Sequence, residues 1–202
     1  MALGDSYADV AELKTRLDIN DTAEDDQLEA ALATASRGIE KECSRQFNLA
    51  TSATARVFEP ENHCLTYVDD FSTADGLIIA IDRGEDGTYE ETWTASDYQL
   101  KPLNGVVDGE IGWPFWKVQA VGRFFPCRYR RAPVQVTAKW GWAAVPAPIK
   151  EATLILAEDL FKLTSTPFGA GGFADFGRIR ARENPHVLTR IAPYKRYAVL
   201  VA

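Results

Sequence analysis

A chain of 202 residues, 46% hydrophobic and 25% charged, is long enough to bury a real core and has the composition of a globular protein. Its net charge of −7 weighs against a protein that grips nucleic acid by neutralising phosphates. No run reaches the roughly 20 apolar residues of a membrane helix, and Met1–Asp5 lacks the basic and apolar regions of a signal peptide, so no membrane partner and synthesis in the cytoplasm are expected.

In chain order, Ser6 with Asp9 resembles a capping box, and Val10, Leu13 and Leu17 follow at helical spacing, which predicts a short helix to about Leu17. Asn20-Asp21 is a turn. Thr22 with Asp25 repeats the capping pattern, and Glu24, Asp25 and Asp26 place negative charge at the positive end of a helix dipole. Leu28, Leu32, Ala35, Ile39, Cys43 and Phe47 hold one face of a second helix through about Phe47, on the order of 35 Å long. The acids and the apolar row are equally what capping and a core require.

From Ala53 the period changes to that of strands. Ala55 and Val57, then Leu65 and Tyr67, alternate with other residues, and Leu77–Ile81 is a short apolar run suited to a buried strand. Asp86-Gly87 between Ile81 and Tyr89 signals a hairpin, because Gly tolerates the positive φ of a tight turn. Asn104-Gly105 and Asp108-Gly109 mark a longer loop before Trp113-Pro114-Phe115-Trp116. Val118–Phe125 and Val134–Trp140 read as two more strands, with Pro126 and Pro133 at their edges.

The strand run ends at Trp140-Gly141-Trp142. Pro146 and Pro148 block helix upstream and leave a start at Ile149, after which Ala152, Thr153, Leu156, Leu160 and Leu163 recur on one face. Ile155 and Phe161 widen that face, so the helix is expected to be covered on more than one side. Beyond Leu163, glycines interleave with Phe168, Phe173 and Phe176. Arg178, Arg180 and Arg182 alternate as on an extended strand, Asn184-Pro185 starts a short helix through Val187, Leu188 and Ile191, and the end reads Tyr194-Lys195-Arg196-Tyr197. Apolar anchors on a glycine-rich backbone usually become ordered against something else; the alternative is that the arm folds back over its own chain.

The pattern predicts an α+β protein: helices of the N-terminal region (1–52), an inserted small antiparallel β unit (53–142), a core helix (143–164) packing with the first helices, and an extended C-terminal arm and docking tail (165–202). Charge follows the same order, with a net −6 in residues 1–50, −4 in 51–147 and +3 in 148–202.

Catalytic chemistry is largely excluded. There is no nucleophile elbow, two histidines leave little room for a triad, and the Gly169–Gly177 segment lacks the Lys-Ser/Thr ending of a phosphate-cradling loop. Neighbouring carboxylates such as Asp69-Asp70 and Glu90-Glu91 point to opposite faces of a strand, which suits solvation. Cys43, Cys64 and Cys127 form no disulfide framework, and His63-Cys64 is at most half a zinc site, otherwise ordinary loop or core residues. No catalytic residue, cofactor or metal is expected. The five tryptophans read either as corner packing or as a stacking platform for carbohydrate or for another protein's surface, which would make the chain a soluble binding module.

The stretches TAEDDQLEAALATASRGIEKECSRQF, GTYEETWTASDYQL, VQVTAKWGWAAVPAPIKEATLILAEDLFK, PFGAGGFADFG and NPHVLTRIAPYKR resemble the head–tail connector (adaptor) proteins of long-tailed bacteriophages over nearly the whole chain. The resemblance implies a structural virion protein of the neck, forming a dodecameric ring below the portal and continuing the DNA channel. Its implied partners are itself, the portal protein, a head-closure, stopper or tail-terminator protein, and double-stranded DNA that passes without specific binding. It places Phe168, Phe173, Phe176, Arg178, Arg180, Arg182, Tyr194, Lys195, Arg196 and Tyr197 as candidate contacts to portal and neighbouring subunits, and Glu24, Asp25 and Asp26 as candidate channel-facing acids.

Overall fold

Four helices and a set of antiparallel strands make up the described residues, 4–127, 131–164 and 184–196, of the computed structural model, so the chain is α+β. It divides into two compact units: one from Met1–Asn48 and Ala144–Ala202, the other from Leu49–Ala143.

In the first unit, helix α1 spans Val10–Leu17 and α2 spans Asp25–Cys43. The capping box lies three residues later than expected: Asp9, not Ser6, is the N-cap, and its backbone N–H donates to the Glu12 carboxylate at 3.3 Å. The expected Thr22/Asp25 box does not form. Glu24 is the N-cap of α2, and the turn before it is held by the Ala23 N–H donating to Asp21 Oδ1 at 3.0 Å. Helix α2 stops at Cys43, with Ser44 in the left-handed region at φ 51°, and so does not run to Phe47. Phe47 nonetheless stays in the core, packed edge-on against Tyr7 and Tyr194.

Helix α3 spans Ala147–Thr164 and begins two residues before Ile149, with the Pro146 carbonyl accepting from the N–H groups of Ile149 and Lys150 at 3.0 Å. Pro148 costs nothing there, since a first-turn N–H has no intrahelical partner. Ile149, Ala152, Thr153, Leu154, Leu156, Ala157, Leu160 and Phe161 are all buried, so α3 is covered around much of its circumference. Helix α2 packs along it, and α1 and α4 (Pro185–Ile191) pack against it too. Ion pairs stitch α1 to α3: Lys150 to Glu12 at 2.7 Å, and Arg16 to both Glu151 and Glu158 at 2.8 Å. These are surface pairs, each worth at most about 1 kcal/mol.

Among its described residues the second unit holds ten short strands: β1 (Thr54–Phe58), β2 (Pro60–Asn62), β3 (Leu65–Phe71), β4 (Ile78–Ile81), β5 (Glu91–Trp93), β6 (Tyr98–Lys101), β7 (Val106–Val107), β8 (Glu110–Ile111), β9 (Phe115–Ala120) and β10 (Val134–Ala138). One sheet has the order β1-β10-β4-β5, a second β2-β3-β9-β6, and β7-β8 is a separate ribbon. All named pairs are antiparallel. Val68, Phe71 and Val118 from one sheet meet Ile79, Ile81, Val134, Val136 and Ala138 from the other in one core, with Trp93, Phe125 and Trp140 filling it.

The β4–β5 hairpin is where Asp86-Gly87 announces it, in register Ile79 to Trp93 and Ile81 to Glu91, but its loop runs over 82–90 rather than a two-residue turn. By contrast the expected loop at Asp108-Gly109 is itself a tight hairpin. Both residues have positive φ, 51° and 86°, which is the requirement of a two-residue turn whose twist matches the strands.

Candidate functional site

The acids at the start of α2 divide by environment. Asp25 accepts from Lys14 Nζ at 2.7 Å, while Asp26 is exposed. The Glu24 carbonyl accepts from the N–H groups of Gln27 and Leu28 at 3.0 Å, so its backbone is committed to the helix. All three lie at the positive end of the α2 dipole, where carboxylates are favoured by about 0.3–1 kcal/mol. Capping and an acidic surface are therefore compatible here.

At the other end of the chain the structure makes an anchor of residues expected to face partners. Asn184 caps α4, its Oδ1 accepting from His186 N at 2.9 Å and Val187 N at 3.3 Å, while its Nδ2 donates to Asp159 at 2.8 Å. Val187 and Ile191 are buried, and a 3-10 turn over Ala192–Tyr194 then brings two side chains and a backbone N–H to the C-terminal end of α2. The Tyr194 ring meets Phe47 edge-on at 6.0 Å; Lys195 Nζ reaches Glu42 at 2.6 Å; the Arg196 N–H donates to the Cys43 carbonyl at 2.8 Å. A helix end leaves its last carbonyls without partners and carries partial negative charge, so a backbone donor and a lysine both suit it. Tyr194, Lys195 and Arg196 are thus brought together inside the protomer. Phe168, Phe173, Phe176, Arg178, Arg180, Arg182 and Tyr197 lie outside the described residues.

Beneath the anchor sits a buried polar pair. The Tyr7 hydroxyl donates to Glu40 Oε1 and accepts from the Phe47 N–H at 3.0 Å. Burial, then the Glu40 carboxylate, pushes the Tyr7 hydroxyl pKa well up, and burial raises that of Glu40. Burial also pushes the Cys43 thiol up to about 12, which removes it from thiolate chemistry. All three cysteines are free.

In the β unit, four of the five tryptophans, Trp93, Trp113, Trp140 and Trp142, are buried, consistent with corner packing. Half-buried Trp116 borders an open depression of about 380 Å³ with Lys101, Pro102 and Lys117. His63 and Cys64 occupy the β2–β3 turn, with His63 Nδ1 3.0 Å from the Phe125 carbonyl oxygen and the Cys64 N–H donating to Asn62 Oδ1. Glu91 does not stand alone in solvent: Arg83 and Arg123 both pair with it, and Arg123 also meets Asp97 at 3.0 Å. Hydrogen bonds from Thr94, then Arg123, hold the Asp97 carboxyl down to about 2, and Arg83 lowers that of Glu91.

Sequence reasoning missed the apolar surface of this unit. Ile111 is 84% exposed and Phe124 64% exposed, with Leu103, Val106 and Val121 also presented to solvent. Leu103, Val106 and Ile111 belong to the β7–β8 ribbon and the turn leading into it. The available signal was the adjacent pair Phe124-Phe125, which lies beyond the end of β9 at Ala120 and not in the expected Val118–Phe125 strand, and of which Phe125 alone enters the core.

With this geometry in view, residues 7–82 match the family described as phage gp6-like head-tail connector protein, so the resemblance read from the sequence holds; that family is structural and not enzymatic. No curated protein matches the chain. Among solved structures, a chain in the neck of an empty GTA particle computed with C6 symmetry has the same fold, with TM-score 0.59 and 19% identity over 100% of this chain and 96% of that one. Another, in the neck of a native GTA particle computed with C12 symmetry, gives TM-score 0.52 and 17% identity over 96% and 91%.

Proposed function

We propose, from the premise that residues 7–82 carry the signature of a head–tail connector, that this chain is a structural virion protein that forms a ring in the neck, between the portal and the proteins below it. The observation that carries this reading is the connector match; a neck-protein fold over the entire chain supports it. A ring is a closed set of head-to-tail contacts, and the exposed apolar side chains of the β unit are surfaces suited to making them. The mass of the purified chain, alone and mixed with portal, tests the proposal. We expect an assembly of twelve copies in at least one condition, as C12 symmetry would require. A monomer in both would overturn it.

In this reading the acids at the start of α2 border the channel, where like charge repels phosphate and lets DNA slide without sticking. Asp26 and Glu24 supply this field more than Asp25, which Lys14 neutralises. Replacing Glu24 and Asp26 by Lys is expected to slow DNA ejection from assembled particles, more strongly at low salt. An ejection rate equal to that of the unaltered particle would move these residues off the channel wall.

A further inference from the structure

Three carboxylates in the β4–β5 loop, Asp82, Asp86 and Glu90, bring one oxygen each to within 4.8 Å of one another. Acidic groups on a loop commonly gather without consequence, but Asp82 is not an ordinary loop acid. It is 1% exposed, and while its Oδ2 accepts from the Gly87 N–H at 2.8 Å, its Oδ1 has no hydrogen-bond partner among the described residues. A buried carboxylate oxygen left unpaired keeps the cost of its lost hydration, and such a group calls for a ligand. That oxygen faces the space beside Gly84: a Cβ built there would lie 3.9 Å from Asp82 Oδ1 and 3.7 Å from Asp86 Oδ2. Both carboxylates therefore border one gap, which a side chain at position 84 would narrow.

The spacing has chemical meaning. Asp82, Asp86, Gly87 and Glu90 stand at the first, fifth, sixth and ninth places of a run that reads D-R-G-E-D-G-T-Y-E. Calcium-binding loops place oxygen ligands at such positions, with Gly at the sixth for the sharp turn, and Gly87 has φ 92° here. The run departs from the helix-flanked version in having Gly at the third place, and it leads into β5 instead of a helix. Oxygens bound to one calcium at 2.3–2.6 Å are separated by at most about 5 Å, whereas those around magnesium, at 2.0–2.1 Å, are at most about 4 Å apart. A spread of up to 4.8 Å suits the larger ion.

We infer that Asp82, Asp86 and Glu90 form a calcium site in the β unit, independent of the connector reading. The groups facing it are these three acids, the Tyr89 hydroxyl, which donates to the Ala132 carbonyl at 2.9 Å, and the Arg131 guanidinium, which hangs over Gly87 and interacts with Asp86. Arg131 competes with the ion for the same negative charge. With three carboxylates and few further ligands, affinity falls in the weak range, a Kd of about 0.1–1 mM.

Calorimetric titration of the full chain with calcium chloride tests this. One ion per chain is expected to bind saturably, about tenfold or more weakly in Glu90→Gln and Asp86→Asn, and more tightly in Arg131→Gln, as ligand charge count dictates. The first two replace exposed side chains and leave the fold intact, so they decide the matter even if Asp82→Asn fails to fold. Absence of saturable calcium binding up to about 10 mM, well past the weak range, would overturn the site. So would unchanged affinity in Glu90→Gln and Asp86→Asn, which would put the ion elsewhere, or a preference for magnesium.

Discussion

Cutting the chain after Gly177 is expected to unfold the helical unit, not simply to release a docking tail. The cut removes α4 and the anchor beyond it, and with them buried Val187, Ile191 and Tyr194. Each such side chain contributes about 1.5–3 kcal/mol when buried, so the loss is on the order of 5 kcal/mol, against a typical total of 5–15 kcal/mol. It also exposes Phe47, whose ring Tyr194 covers, and strips Glu42 and the Cys43 carbonyl of Lys195 and the Arg196 N–H. Urea denaturation followed by circular dichroism should show the helical transition lost or moved to much lower urea; a truncated chain with an unchanged midpoint would show that the anchor adds nothing. The docking role proposed for the arm needs a gentler change. Replacing Phe168, Phe173 and Phe176 by Ser leaves the anchor in place, and portal docking of that variant separates assembly from folding.

Trp140→Ala is the second large effect, expected to destabilise the β unit by about 3–5 kcal/mol, the usual cost of emptying a buried tryptophan site. Trp140 is 2% exposed; its Nε1–H donates to the Thr54 carbonyl at 2.8 Å, and its ring meets Phe71 edge-on at 6.0 Å and Phe58 at 5.7 Å. The Arg56 guanidinium lies 4.7 Å from the ring centre on its face. The substitution therefore leaves a cavity, a Thr54 carbonyl without its indole donor and a cation without its ring. Trp116→Ala is the control: half-buried at the rim of the depression, it should cost well under half as much. Equal midpoints for unaltered protein and Trp140→Ala in tryptophan-fluorescence unfolding would contradict this account.

What was legible in advance were the features written in short-range physics. Apolar residues at three- and four-residue steps predict α1, α2 and α3, and Asn184-Pro185 predicts α4 to the residue, because a cap and a fixed φ act on their immediate neighbours. The β run from Ala53 and the hairpin at Asp86-Gly87 are legible for the same reason. Helix ends were less so. Ser6/Asp9 and Thr22/Asp25 have the spacing of capping boxes, yet Asp9 and Glu24 take the caps, since several candidates at one terminus differ by less than tertiary packing contributes. The head–tail connector resemblance also came from sequence, through the pattern of the whole chain rather than any single residue.

Only the tertiary structure decided which distant residues meet. Phe47 satisfies the α2 periodicity but leaves the helix and remains buried, because Tyr7 and Tyr194, far from it in sequence on either side, close over it. Tyr194, Lys195 and Arg196 look like free docking groups in a basic tail, and become an anchor because the end of α2 offers a carbonyl, a carboxylate and an aromatic ring at matching positions. The strand order β1-β10-β4-β5 and the Asp82 oxygen in the hairpin loop that has no partner among the described residues have no local signature either. Periodicity and capping depend on residues within a turn or two of each other, so one sequence suffices to read them. Pairing across dozens of residues depends on loop closure and on which buried surfaces fit, and those are set by the packed whole.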